Sequence, residues 1–247
     1  MSKLPEEFCD PQTQTCLIAN SGISPETTLA QIHIPAPSPE EKKTEIIYVG
    51  DPMCSWCWGM SPSIIKLRDY FAPQGIGFRL VTGGLRPGGG DRWDESRKDR
   101  LRQTWQIVAE KSGQQFGYKI LDLEHFDYDT EPACRAVVAA RSFAEFREME
   151  FFEEIQRKFY VESHDPKDVE FYHSICDQFD INFTDFQIRF ENDEVKEETF
   201  CEFDLNRKWG VQAFPAVLVS KEDKIRYVTQ GFSTYEKMEN KVRELIK

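Results

Sequence analysis

Two cysteines three residues apart, Cys54-Ser55-Trp56-Cys57, end the apolar run Ile46-Ile47-Tyr48-Val49 and open a segment of helical period. A C-x-x-C pair at a strand-to-helix junction is the setting of dithiol exchange, and it confines the chain to few architectures. There the first cysteine meets the free N–H groups and positive dipole end of a helix, which favour an anion. The expectation is a thiol pKa below the ordinary value of about 8.5, with a useful thiolate fraction at neutral pH. The second thiol, one turn on, is placed to attack a mixed disulfide and release the substrate. The same spacing is also half of a zinc site. The usual other half is missing, because His33, His125, His164 and His173 are scattered and no second C-x-x-C follows. A four-thiolate site from Cys9, Cys16, Cys54 and Cys57 would have unusual spacing. The redox reading leads, and a zinc-binding or chaperone-like interaction module is the alternative.

A chain of 247 residues can build one large or two small domains with a substantial core. Its net charge of −12 argues against nucleic acid or an anionic membrane face as partner. No run of about 18 apolar residues is present to span a membrane. The first ten residues lack the apolar stretch of a signal peptide, so a cytoplasmic location is expected. In that setting seven cysteines point to thiol chemistry or buried thiols, not to a disulfide scaffold.

Residues 1–44 read as an arm and linker, rich in Pro, Ser, Thr and Glu. A buried strand over 45–50 is followed by a helix from about Ser61, with Pro62 in its first turns, and by a second strand over 77–81. That order predicts a parallel crossover. The glycine-rich stretch 82–90 has no phosphate-loop register and reads as a flexible crossing between domains. Helical patterns then dominate to Trp209, including one beginning at Asp165-Pro166. Short strands over 216–219 and 225–229 and an amphipathic helix over 233–247 close the chain. Pro215 at the head of a buried strand suits a cis Phe214-Pro215 bond.

This order resembles the thioredoxin fold of the DsbA family of thiol–disulfide oxidoreductases, and more closely its FrnE-like branch. The motifs that carry the resemblance are Asp51-Pro-Met-Cys-Ser-Trp-Cys-Trp-Gly59, Thr82-Gly-Gly-Leu-Arg-Pro-Gly88, Glu131-Pro-Ala-Cys-Arg-Ala-Val137 and Gly210-Val-Gln-Ala-Phe-Pro-Ala216. They appear in the family's order and span 45–247. The resemblance implies an α/β chain in which a discontinuous thioredoxin-like domain, 45–90 plus 210–247, holds an all-helical insertion, 91–209. It further implies a cis-proline, Pro215, beside the redox pair. Protein or small-molecule thiols and disulfides would be the substrates, with no metal or organic cofactor.

On both readings Cys54 is the nucleophile and Cys57 the resolving thiol. Neither Ser55 nor Trp56 carries positive charge, so the couple is expected to favour reduction or isomerisation over net oxidation, with glutathione or a dithiol as electron partner. Ser55 is either a hydrogen-bond donor to the thiolate or an exposed helix-start residue. Trp56 is expected to be an exposed substrate platform, and Trp58 to be packed inside. Phe214 and Pro215 are expected to offer backbone to an extended substrate, with the Phe214 ring in the core. Asp51 is read as a turn cap, with proton transfer to Cys57 as the second possibility. Cys134, Cys176 and Cys201 are read as buried structural thiols. Cys9 and Cys16 are either an accessory redox pair or incidental thiols of a disordered tail. A glutathione-dependent enzyme of kappa-class type is a further alternative; relatives of that type typically carry a lone serine in place of the first cysteine.

Overall fold

Ile46, Ile47, Tyr48 and Val49 are all buried, because their strand, β3 (Glu45–Gly50), runs through a sheet covered on both faces. Ile46 and Tyr48 join the larger core, Ile47 and Val49 the smaller one around the cysteines. This is the two-residue alternation of a strand, and burial on both sides explains why the sequence reads as a continuous apolar run. The computed structural model describes residues 9–10, 15–17, 44–143 and 147–247. The expected linker at 35–43 lies outside the described residues.

Strand β4 (Gly77–Thr82) lies parallel to β3, with Glu45 opposite Gly77 and Gly50 opposite Thr82. On the other side β6 (Ala216–Lys221) runs antiparallel to β3, and β7 (Lys224–Gln230) antiparallel to β6, giving the order β4-β3-β6-β7. The β6–β7 turn passes through Glu222 and Asp223, both at positive φ (53° and 61°). A two-residue hairpin needs that geometry to match the strand twist.

Helix α1 (Ser55–Phe71) connects β3 to β4 and starts six residues earlier than its apolar period suggests. Pro62 therefore stands inside the helix and not in its first turn. A proline there cannot donate to the carbonyl four residues back, that of Trp58. The structure satisfies that carbonyl otherwise: Ser61 Oγ donates to it at 3.2 Å and Gln114 Nε2 at 3.1 Å.

The helical insertion comprises α2 (Glu95–Ser112), α3 (Glu131–Ala140), α4 (Glu148–Tyr160), α5 (His173–Gln178), α6 (Phe183–Phe190) and α7 (Asp193–Lys208). Its aromatic residues build a core and not a groove: Trp105, Phe151, Phe152, Phe159, Tyr160, Tyr172 and Phe186 are all fully buried. The helix expected from Asp165-Pro166 begins later. Asp165 accepts from the Lys167 N–H in a turn, Asp168 caps a 3-10 turn over Val169–Tyr172, and α5 follows. The insertion is tied to the sheet through Arg141, which bonds Glu148, Glu202 Oε1 and the Leu80 carbonyl. Glu202 Oε2 in turn accepts from the N–H and hydroxyl of Thr82 at 2.7 and 2.8 Å, which fixes the end of β4. Helix α8 (Tyr235–Ile246) lays Met238, Val242 and Leu245 against the larger core.

Helix α2 ends at Gly113, whose φ of 77° is left-handed and whose N–H donates to the Ala109 carbonyl at 2.8 Å. No atom lies within 4 Å of a Cβ placed there, so Gly113→Ala meets only the backbone penalty. The expected loss is about 1 kcal/mol, seen in urea as a lowered midpoint with an unchanged slope.

Part of the arm is paired with the rest of the chain. Residues Cys9–Asp10 (β1) and Thr15–Leu17 (β2) form an antiparallel pair, and β2 pairs antiparallel with β5 (Ala213–Phe214). Strands of two and three residues are too short to show a period of two, so hydrophobic pattern gives no sign of them.

Candidate active site

Cys54 is the N-cap of α1. Its backbone is extended (φ −91°, ψ 116°), its N–H donates to the Asp51 carbonyl, and its own carbonyl accepts from the Trp58 N–H, each at 3.0 Å. Cys57 lies in the first turn. Both thiols are fully buried, in the smaller core with Trp56, Val81, Leu85, Val108 and Phe214. That burial reverses the expected electrostatics of the nucleophile. Loss of solvent, followed by the hydrogen bond and charge of Cys57, pushes the Cys54 thiol well above its ordinary value, overriding the helix N-terminus.

Trp56 is not exposed as expected, with 0% of its surface accessible, and Ser55, at 1%, does not match the exposed helix-start alternative. Trp56 packs on Phe232, with ring centroids 5.7 Å apart, and Lys111 Nζ stands 5.7 Å from its ring. The reason is the early start of α1, which turns its first residues into the core. Trp58 is also inside, its indole N–H donating to the Gln115 carbonyl at 3.0 Å and its ring stacked on Tyr160.

Asp51 is buried and does more than cap a turn. Its Oδ1 accepts from the Met53 N–H at 2.8 Å. Its Oδ2 accepts from the Leu85 N–H at 2.6 Å, the Thr130 hydroxyl at 2.8 Å and the Cys134 thiol at 3.4 Å. Burial raises its pKa from 3.8 to about 6 against these four bonds, which lower it. The carboxyl therefore clamps the strand-to-helix turn to both the glycine-rich loop and α3. That loop is pinned and not flexible: Arg86 N–H donates to Thr130 Oγ1, Gly88 N–H to Asp129 and Gly90 N–H to Asp127, at 2.8–2.9 Å.

The Phe214–Pro215 bond is cis. The Phe214 ring is buried, and a Cβ on Gly83 would come within 2.6 Å of it, so only glycine admits that close approach. The structure thus places Cys54, Cys57, Trp56 and Phe214 in one cluster, with Ser55 buried between them in the chain. Cys134 and Cys176 are buried, whereas Cys201 is exposed on α7, contrary to its reading as a core thiol.

Three neighbours of the pair escaped sequence reasoning. Tyr48 is buried, and after burial itself the Cys57 thiol beside it is the main cause of its raised pKa. Tyr128 donates from its hydroxyl to the Met53 carbonyl at 2.8 Å. Thr130 holds Asp51 and the loop together. Cys134 lay within a motif already singled out, but its link to Asp51 crosses 83 positions of sequence and had no local signal.

No family model and no curated protein matches the chain. Among solved structures it is similar to a protein from Nitrosomonas europaea provisionally described as a protein disulfide isomerase. The two are 30% identical, the match covers 83% of this chain and 98% of that one, and the TM-score is 0.75. The chain belongs to the DsbA family of thiol–disulfide oxidoreductases. Three further solved structures, of two proteins and below 25% identity, show the DsbA-like fold. The cytosolic disulfide reductase DsbM from Pseudomonas aeruginosa is 19% identical with TM-score 0.67, covering 82% of this chain and 98% of that one. DsbM has also been solved with GSH, at 20% identity, TM-score 0.64 and the same coverage. The oxidoreductase NmDsbA1 from N. meningitidis is 12% identical with TM-score 0.52, covering 94% and 90%. As in this family, the sheet is thioredoxin-like and the helices enter as an insertion between β4 and β5. Among the described residues no helix is long and apolar enough to cross a membrane.

Proposed function

We propose that this DsbA-family protein reduces or isomerises disulfides through Cys54 and Cys57, with glutathione or a dithiol closing the cycle. The observation that carries the reading is the placing of Cys54 at the N-cap of α1 and Cys57 in its first turn, in one cluster with Phe214. Cys54 attacks a substrate sulfur, and the departing thiolate takes a proton. Cys57 then attacks the Cys54 sulfur, which frees the second substrate thiol and leaves Cys54–Cys57 oxidised. Phe214 and Pro215 border the pair, and because β2 already pairs with Phe214, an extended substrate adds there only by taking the place of β2.

The reducing direction follows from what surrounds the thiolate. Ser55 and Trp56 bring no positive charge, and burial disfavours the Cys54 anion. A reduced form without a stabilised thiolate gives up its electrons readily, which lowers the potential of the couple. The likeness to DsbM, a cytosolic disulfide reductase solved with GSH, supports this direction, a glutathione partner and a cytoplasmic setting. The motifs of the FrnE-like branch favour that branch within the family.

A redox titration of the wild type, Cys54→Ser and Cys57→Ser, read by tryptophan fluorescence and thiol count, tests the proposal. A reversible two-electron step assigned to this pair is expected near or below the thioredoxin value of about −270 mV. A midpoint above about −180 mV, the range of oxidising isomerases, overturns the reducing direction. Thiols that react only after a chelator is added overturn the exchange reading in favour of zinc.

A further inference from the structure

The edge where an extended substrate would add to the site is already occupied by the chain itself. Strand β2 pairs antiparallel with β5, with Cys16 in register opposite Phe214 and Leu17 opposite Ala213. Strand β1 pairs with β2 on its far side, with Cys9 in register opposite Cys16. Strand β2 also lies against α1, the helix that Cys54 caps, and β1 lies against α2. Two of the seven cysteines thus sit on successive strands leading out from the residue before Pro215.

We propose that the hairpin carrying Cys9 and Cys16 is an internal redox partner of Cys54–Cys57, presenting a second disulfide in the position of a substrate strand. The inference rests on the exchange reading of Cys54–Cys57 given above. Three observations support it together. Residues directly opposite in an antiparallel pair have Cα atoms about 4.5–5.5 Å apart, inside the range that a disulfide bridges. Cys9 and Cys16 meet that condition by register, with only six residues between them to close the loop. Cys16, not Cys9, is on the strand next to β5, so it is the residue whose backbone stands nearer the site. Finally, Cys54 has no accessible surface, and a partner carried on a strand that already lies against α1 needs no entry from solvent.

The step balances without any further reactant. The Cys54 thiolate attacks the Cys16 sulfur of a Cys9–Cys16 disulfide, the S–S bond breaks, and Cys9 leaves as a thiolate that takes up a proton. Cys57, losing its proton, then attacks the Cys54 sulfur and expels Cys16. Two electrons have moved from the buried pair to the hairpin, and the buried pair is now the disulfide. The reduced hairpin, at the outer edge of β5, then holds those two electrons for a further disulfide. Run backwards, the same steps deliver oxidising equivalents inward, and the difference between the two potentials sets the direction.

The test uses the full chain carrying Cys9→Ser and Cys57→Ser, so that Cys16 and Cys54 remain as the reacting pair. The protein is exposed to oxidised glutathione, quenched with acid, alkylated, digested and read by mass spectrometry. The expected product is a Cys16–Cys54 linked peptide within the monomer, with a yield independent of protein concentration. A tethered thiol acts at an effective concentration in the millimolar range, so the link should exceed the Cys54–glutathione adduct by roughly tenfold at about 0.1 mM glutathione. Glutathione on Cys54 with no link to Cys16 overturns the relay and leaves the exchange reading intact. Linkage found only between two copies of the chain overturns it as well. A Cys54 that reacts with neither Cys16 nor glutathione overturns the exchange reading, and the relay with it. A second measurement avoids altering the buried pair: titrated wild type should exchange four electrons, and the Cys9→Ser, Cys16→Ser variant two. Two electrons in both proteins overturns the proposal.

Discussion

Cys54→Ser is expected to abolish disulfide exchange, with a loss of at least about 10³-fold in kcat/KM, equivalent to some 4 kcal/mol of transition-state stabilisation. A serine oxygen cannot form the mixed disulfide, so no partial step survives. Cys57→Ser is expected to behave differently. Its Cys54 still attacks, and without added thiol the protein then stalls as a mixed disulfide after one turnover, because Cys57 is not there to release the adduct. A burst of one substrate thiol per protein, then no turnover, is the measurement that separates the two variants. Equal, total inactivity without any adduct would contradict the assignment of Cys54 as nucleophile.

The burial of Cys54 adds a kinetic signature to that result. Its thiol is held well above its ordinary pKa, mainly by loss of solvent. Alkylation of the reduced protein by iodoacetamide should therefore have its pH midpoint above about 8.5, the ordinary cysteine value. A midpoint near 6 would mean that the helix N-terminus governs the thiol after all, as in strongly oxidising relatives.

The redox pair was legible in the sequence because two local signals coincide there. A β-branched run and a helical period meet at Cys54-Ser55-Trp56-Cys57, and both depend only on neighbours in the chain. The parallel pairing of β3 with β4 followed from the length of the connection between them. What the sequence hid are features decided by distant residues. Trp56 was expected outside because early helix residues usually face water, yet Phe232, 176 positions on, packs against it. Pro62 looked like a helix start because nothing local shows that Ser61 and Gln114 replace its missing hydrogen bond. The glycine-rich loop looked flexible because its anchors, Asp51, Asp127, Asp129 and Thr130, lie 34 to 44 positions away. Cys201 lies on a helix beside Phe200 and Phe203, and composition alone could not tell its outward position from theirs.

Asp51→Asn is expected to remove a pH dependence of stability worth about 3 kcal/mol. The wild-type carboxyl titrates at about 6 in the folded chain against 3.8 ordinarily, and each pH unit of difference corresponds to 1.36 kcal/mol. Because the folded value is raised, the folded state holds the proton more tightly than the unfolded chain. That contribution is complete below pH 3.8 and is lost as the pH rises through about 6. The difference in unfolding free energy between wild type and Asp51→Asn should thus move by about 2 kcal/mol in favour of wild type between pH 7 and pH 4, with the remainder gained below pH 4. Taking the difference cancels the other carboxylates, such as Glu131, Glu148 and Glu153, whose pKa values are also raised by burial. The amide has only one oxygen for four donors, so its NH2 must face either the Met53 or the Leu85 N–H. That loss, on the order of 1–3 kcal/mol, is the same at every pH and does not alter the slope. A pH-independent difference between the two proteins would show that Asp51 does not carry the titration. The same variant reports on the thiols. The Asp51 charge is among the causes that raise Cys54, so removing it should bring the pH midpoint of Cys54 alkylation down. A turn cap alone would leave that midpoint where it is, and the two outcomes separate a purely structural Asp51 from one whose charge governs the nucleophile.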